Sequence, residues 1–197
     1  MRVISGSAKG TKINTIDSTL TRPTLDRVKE SMFNIIQTKI RDSVVLDLFA
    51  GSGALGIESL SRGAKSCVFC DSNIKAIKTI NQNLLKTHLL EKSLLLNMDY
   101  KKCLQKLYDD SFKFDIVFID PPYKSDIAVK AIKQLIELRI LNFDSLIILE
   151  TDEIIRDEME IDILLNSNEK SDYSIRIIDK RKYGRANLLF LGMDEEI

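Results

Sequence analysis

Residues 118–123 read FIDPPY, and this segment concentrates groups that can act on a substrate. Asp120 and Pro121 each precede a proline, which restricts both to extended conformations. Neither Pro121 nor Pro122 has an N–H to offer. The segment therefore presents acceptors, the Asp120 carboxylate and the Pro121 carbonyl, with few donors beside them. Two fixed acceptors suit a group with two N–H bonds, such as the exocyclic amino group of a nucleobase. That nitrogen is a poor nucleophile because its lone pair is delocalised into the ring. Acceptors on both hydrogens favour a pyramidal nitrogen and direct the lone pair towards an electrophile. Tyr123 offers a ring on which a flat base can stack.

A second set of residues lies upstream. In DLFAGSGALG (47–56), Gly51, Gly53 and Gly56 fit G-x-G-x-x-G. Such glycines allow a tight turn and bring a ligand close to backbone amides at a helix N-terminus. Asp71 follows Gly51 by twenty residues, the place of an acid that accepts from ribose hydroxyls. This pattern fits either a dinucleotide or S-adenosylmethionine. Asp47 favours the second, because a carboxylate repels a pyrophosphate and attracts an amine and a sulfonium. Asp99 ends a third apolar run and suits either an adenine amino group or a helix N-cap.

The elements that must position these residues alternate along the chain. Apolar strands are expected at 44–49, 66–71, 93–98, 114–120 and 144–150. Helices are expected at 54–62, 73–86, 100–108 and 126–138. Alternation of this kind with nearly all-apolar strands predicts an α/β fold, a Rossmann-like, mostly parallel sheet with helices on both faces. Residues 173–191 read as a final antiparallel pair turning at Gly184. Residues 1–16 read as a short hairpin or arm with Gly6 and Gly10 near its turn. Pro23 and Thr24 open a helix with Leu25, Val28, Met32, Ile35 and Ile36 on its apolar face. Ligands of such folds sit beyond the carboxyl ends of the strands, where all the acids above would lie. We expect two regions, an arm at 1–21 and a catalytic domain at 22–197.

The 197 residues are the size of one domain, with 44% hydrophobic and 29% charged residues. No stretch has the composition of a signal peptide, and none approaches the roughly 20 apolar residues that span a bilayer. The expectation is a cytoplasmic protein with no membrane partner. Cys67 and Cys70 form a C-x-x-C within a strand, where positions i and i+3 face opposite ways, so they read as core and not as a metal site. His88, the one histidine, lies at a helix end. The formal net charge is zero, but its distribution is uneven. Residues 1–41 hold eight basic residues against three acids, and 176–185 hold five against one. Residues 150–169 hold eight acids against one arginine. Basic ends of this kind can converge on nucleic acid.

RPTLDRVKESMFNII (22–36), DLFAGSGALGIESLSRGA (47–64), FIDPPY (118–123) and LIILE (146–150) together resemble the bacterial 16S ribosomal RNA guanine-N2 methyltransferase family, which modifies guanine 966. The resemblance runs from about residue 2 to residue 191 and keeps motif order. It implies a seven-stranded class I methyltransferase fold that uses S-adenosylmethionine. It places Asp47, Phe49, Gly51 and Gly53 at the methionine part of the cofactor, Asp71 at the ribose and Asp99 near the adenine. It assigns the target guanine to Asp120, Pro121, Pro122 and Tyr123. It implies 16S rRNA in assembling small-subunit particles as partner, and a small N-terminal extension that contacts RNA. From the basic ends of the chain we expect Lys9, Lys12, Arg22, Arg27, Lys182 and Arg185 on one phosphate-binding surface, and we expect a monomer. In this sequence Asn73 stands where the family often has a second acid, and the arm GSAKGTKI carries fewer arginines than relatives do. Asp-Pro-Pro-Tyr alone would also fit a DNA adenine methyltransferase. A nicotinamide-dependent oxidoreductase would explain only the glycines, and a non-catalytic ribosome-binding protein only the basic ends.

Overall fold

The computed structural model describes residues 1–16, 23–121, 126–167, 174–184 and 186–194. Seven strands form one sheet: β1 (Val44–Asp47), β2 (Ser66–Asp71), β3 (Ser93–Asn97), β4 (Phe114–Ile119), β5 (Leu141–Thr151), β6 (Ser174–Tyr183) and β7 (Ala186–Asp194). The strand order is β3-β2-β1-β4-β5-β7-β6. The strands β1 to β5 run parallel, and β7 is antiparallel to both β5 and β6. The order reverses between β1 and β4, so the loops after these two strands border the crevice where such sheets bind ligands.

Alternation along the central strands divides the core into two layers. Val45, Cys67, Phe69, Ile116, Phe118 and Ile148 face one side. There they meet helices α1 (Pro23–Ile35), α2 (Gln37–Ile40), α3 (Ala54–Ser61) and α4 (Ile74–Thr87). Leu46, Val68, Cys70, Val117, Ile119 and Ile147 face the other side. They meet α5 (Tyr100–Asp109), α6 (Ile127–Glu137) and α7 (Ile154–Ser167). Cys67 and Cys70 thus lie in different layers, as their spacing in a strand requires. No described helix is long and apolar enough to cross a membrane.

Three elements depart from the pattern read in the sequence. The acidic stretch after β5 contains α7, of which Asp157 and Ile161 are buried, while Ile155, Met159 and Ile163 are exposed. β5 begins at Leu141, three residues before its expected start, because a register shift between Phe114 and Ile116 lets the earlier residues pair. In α1 the buried positions include Val28, Met32 and Phe33, whereas Ile35 faces outward.

The N-terminal hairpin is bound to the body. Arg2 and Lys12 form an antiparallel bridge, and Gly10 N–H donates to Val3 O at 2.9 Å. Ile4 and Ser5 N–H donate to the two carboxylate oxygens of Glu58 on α3, at 2.8 and 3.0 Å. Ser7 and Ala8 N–H donate to the backbone oxygen and Oγ of Ser61. Gly6 lies so close to Ser61 that an added Cβ would fall 1.8 Å from its carbonyl oxygen. Glu58 also receives Lys29 Nζ from α1 at 3.2 Å and Arg62 Nε at 2.8 Å. One fully buried carboxylate thereby ties together hairpin, α1 and α3. At the other end of the sheet, the Tyr183 and Ser31 hydroxyls share a hydrogen bond, which seats the β6–β7 hairpin against α1.

Candidate functional site

A pocket of about 530 Å³ opens at the carboxyl edge of the sheet where the strand order reverses. Its lining includes Asp47, Phe49, Gly51, Asp71, Asp99, Asp120 and Pro121, seven of the expected site residues. Gly53 stands just behind, as the N-cap of α3 with φ +76°. Pro122, Tyr123, Arg22 and Arg185 lie outside the described residues.

Each glycine of the motif has its own reason. Gly51 has φ +52° and open space around an added Cβ, so backbone conformation is what demands glycine there. Gly53 N–H donates to Ala50 O at 2.6 Å, closing the turn into α3. Gly56 is needed for packing: a Cβ would sit 2.3 Å from the Phe69 ring and 2.6 Å from Cys67 Sγ.

The acids on this side are held by backbone amides. Asp47, 2% exposed, accepts from Gly56 N–H at 3.0 Å. Burial pushes its carboxyl up to about 7, against the pull of that hydrogen bond and with a further push from Asp71. Asp71 accepts from Gly51 N–H at 2.9 Å and from Asn73 N–H at 2.8 Å. Asn73 in turn caps α4 by accepting from Lys75 N–H. Asp99 is the N-cap of α5, accepting from Lys101 N–H at 2.9 Å, and it also faces the pocket. The two uses read from the sequence are compatible, since one oxygen serves the cap and leaves the other open. Phe49 packs against Tyr100 with ring centroids 5.6 Å apart, giving the pocket an apolar wall.

Asp120 follows β4 and is exposed towards the pocket. Desolvation by the surrounding walls raises its carboxyl well above the usual range, and Glu150 and then Asp47 add to this. Water entering the open pocket moderates the first of these causes. Glu150, near the end of β5, lines the same pocket, and burial raises its carboxyl too. The sequence offered one usable signal for Glu150, an acid near the end of an apolar strand. Its relation to Asp120 depends on the β4–β5 register. Lys29 is the one basic side chain lining the pocket among the described residues, and it is paired with Glu58.

Lys9, Lys12, Arg27 and Lys182 are exposed and do not line this pocket. Lys9 and Lys12 stand on the docked hairpin, and Lys182 on β6.

The family profile described as conserved hypothetical protein 95 matches residues 1–191. YlbH of Bacillus subtilis (strain 168), which carries a provisional rRNA methyltransferase name, is 44% identical over 153 residues, 77% of this chain and 83% of that protein. Ribosomal RNA small subunit methyltransferase D of Haemophilus influenzae is 37% identical over 155 residues, 78% of this chain and 79% of that protein. The solved structure of Escherichia coli yhhF, provisionally named a methyltransferase, superposes with a TM-score of 0.78 at 25% identity, covering 100% of this chain and 99% of that one.

Proposed function

We propose, from the premise that this chain belongs to the conserved hypothetical protein 95 family, that it methylates small-subunit ribosomal RNA. The methyl donor is S-adenosylmethionine. The acceptor is the exocyclic N2 amino group of a guanine, for which guanine 966 is the expected position. The observation that carries this reading is one pocket joining a glycine loop, the acids that end β1 and β2 and follow β3, and the Asp120–Pro121 segment. Five carboxylates and one paired lysine suit a cationic ligand and disfavour the pyrophosphate of a nicotinamide dinucleotide.

When bound, the cofactor supplies an electrophilic methyl group on a sulfonium. Asp47 sits where it can favour the positive charge of the amine and sulfonium. Asp71, oriented by the Gly51 and Asn73 amides, keeps lone pairs for ribose hydroxyls. Asp99 keeps an oxygen for the adenine amino group. Asp120 and the Pro121 carbonyl accept the two N2 hydrogens and orient the nitrogen lone pair. With the methyl donor held by Asp47, Asp71 and Asp99, transfer would join the methyl group to N2, release adenosylhomocysteine and leave the nitrogen cationic. It then loses a proton readily to water, so no base need act before attack. Exposed Lys9, Lys12, Arg27 and Lys182, with Arg22 and Arg185, supply contacts to RNA phosphates. The hairpin carrying the first two forms the RNA-contacting region of the chain, and the enzyme acts in the cytoplasm.

The test uses labelled S-adenosylmethionine and small-subunit particles from a strain lacking the protein. One methyl group per particle, mapped to guanine N2, is the expected result. Absence of transfer, or transfer to DNA adenine instead, overturns the reading.

A further inference from the structure

We propose that Glu150 is a specificity-determining residue, whose carboxylate accepts the N1–H of the guanine whose N2 amino group Asp120 holds. The inference rests on the guanine methyltransferase reading above. Asp-Pro-Pro-Tyr cannot by itself separate guanine from other amino-bearing bases, so the discrimination must come from elsewhere in the pocket.

The geometry supplies a second acceptor beside the first. β4 and β5 are parallel neighbours, and their paired residues end with Ile119 opposite Leu149. One residue further, Asp120 follows the end of β4 and Glu150 continues β5, which brings both to the carboxyl edge, close enough for their charges to interact. Side chains in register on adjacent strands point to the same face, and the strands lie roughly 4.8 Å apart. Ile119 and Leu149 both enter the core beneath α5 and α6. Asp120 and Glu150 both line the pocket. Neither has a hydrogen-bond partner among the described residues, whereas Asp47, Asp71 and Asp99 each accept a backbone amide. Two unpartnered carboxylates side by side repel, and a ligand with two adjacent donors relieves that repulsion.

Guanine has such an edge, because N1–H and the N2 amino group are neighbours. Adenine and cytosine do not: beside the amino group of each lies an unprotonated ring nitrogen. Its lone pair would face a Glu150 oxygen. Leaving both acceptors unpaired in a dehydrated site carries a penalty for the wrong base that exceeds the gain from the right one.

The experiment uses the full-length chain and begins with the wild type. If the wild type does not methylate guanine N2 in small-subunit particles, the proposed function fails, whatever Glu150 does. If it does, Glu150→Ala and Glu150→Gln are compared on particles carrying guanine or adenine at the mapped position. Adenosylhomocysteine affinity and melting temperature serve as controls for folding. The expected result for Glu150→Ala is a fall in kcat/KM on guanine on the order of 100-fold, with the preference for guanine over adenine narrowed to a similar extent. Glu150→Gln keeps the shape and a neutral acceptor, so its rate on guanine falls less. Its amide can also donate to adenine N1, and the preference narrows here as well. The Gln variant carries the test if the Ala variant is poorly folded. An unchanged preference in the folded variants overturns the proposal. So does a shift in the acid limb of the pH profile alone, which would mean that Glu150 only sets the charge on Asp120.

Discussion

On the β1–β3 side of the pocket, Asp47 takes the Gly56 amide, Asp71 takes those of Gly51 and Asn73, and Asp99 takes that of Lys101. On the β4–β5 side, Asp120 and Glu150 take none among the described residues. Both sets line one cavity, yet among the described residues only the first is held by backbone amides. The first set is built into the turn and the helix starts, so these residues serve folding and binding together. The second set is a cost to the folded state, which a substrate bound as proposed would offset. On the proposed function the first set would be a preformed cofactor half and the second a substrate half under electrostatic stress, a common compromise between stability and activity.

The division is tested most severely by Asp120→Ala. Turnover should fall by roughly 1,000-fold or more, while cofactor affinity changes by no more than about twofold, since the lost interactions act in the transition state. Single-turnover transfer and calorimetry measure the two quantities. A parallel collapse of cofactor affinity would break the division.

Glu58→Ala probes an acid that, unlike Asp120, is fully partnered. It removes the Glu58 carboxylate from Lys29, whose side chain is 4% exposed, and from Ile4 and Ser5, whose amides donate to it. Breaking a buried pair from one side costs about 3–5 kcal/mol, read from urea unfolding. A loss under about 1 kcal/mol would show that the hairpin is anchored mainly by Ser61.

Asp47 gives a pH signature. Its carboxyl titrates near 7 in the folded protein, above its unfolded value, so the folded form binds the extra proton. Stability from this group is therefore full below about pH 4, declines as pH rises towards 7, and changes no further above that. A cationic cofactor favours the ionised form, so binding near pH 6 should expel close to one proton and strengthen as pH rises. Calorimetry in buffers of different ionisation enthalpy counts the proton. A count of zero would mean that Asp47 stays neutral beside the ligand.

The smallest effect concerns the hairpin. Lys9→Ala/Lys12→Ala should flatten the salt dependence of particle binding by about two units of log–log slope, with the modified nucleotide unchanged. A slope identical to that of the wild type would remove these two lysines from the RNA surface.

The preformed half was the legible one. Asp47, Asp71 and Asp99 each end or follow an apolar strand within a strand–helix series, so local spacing was enough to place them. Glu150 sits in LIILE, where it reads as the end of a core strand. Its meaning comes from a register with β4, thirty residues away. Glu58 resembles a surface acid in a helix, because its partners Ile4, Ser5 and Lys29 are distant in the chain. α7 escaped notice for a different reason. Its conspicuous apolar residues Ile155, Met159 and Ile163 are exposed, so periodicity and burial do not coincide. The bulge that lengthens β5 is likewise a matter of pairing, and no composition signals it.

The placement of β7 between β5 and β6 has a consequence for how the chain is made. During synthesis from the N-terminus, β1 to β5 can assemble as soon as they emerge. β6 then has no neighbour, because the edge of β5 is reserved for a strand still inside the ribosome. Until residues 186–194 appear, the nascent protein presents an open, apolar β5 edge, the kind of surface that pairs with the wrong chain. The interval is brief, since β7 follows β6 after a single short turn at Gly184. A stall or premature stop within that turn would leave the edge exposed for as long as the fragment survives.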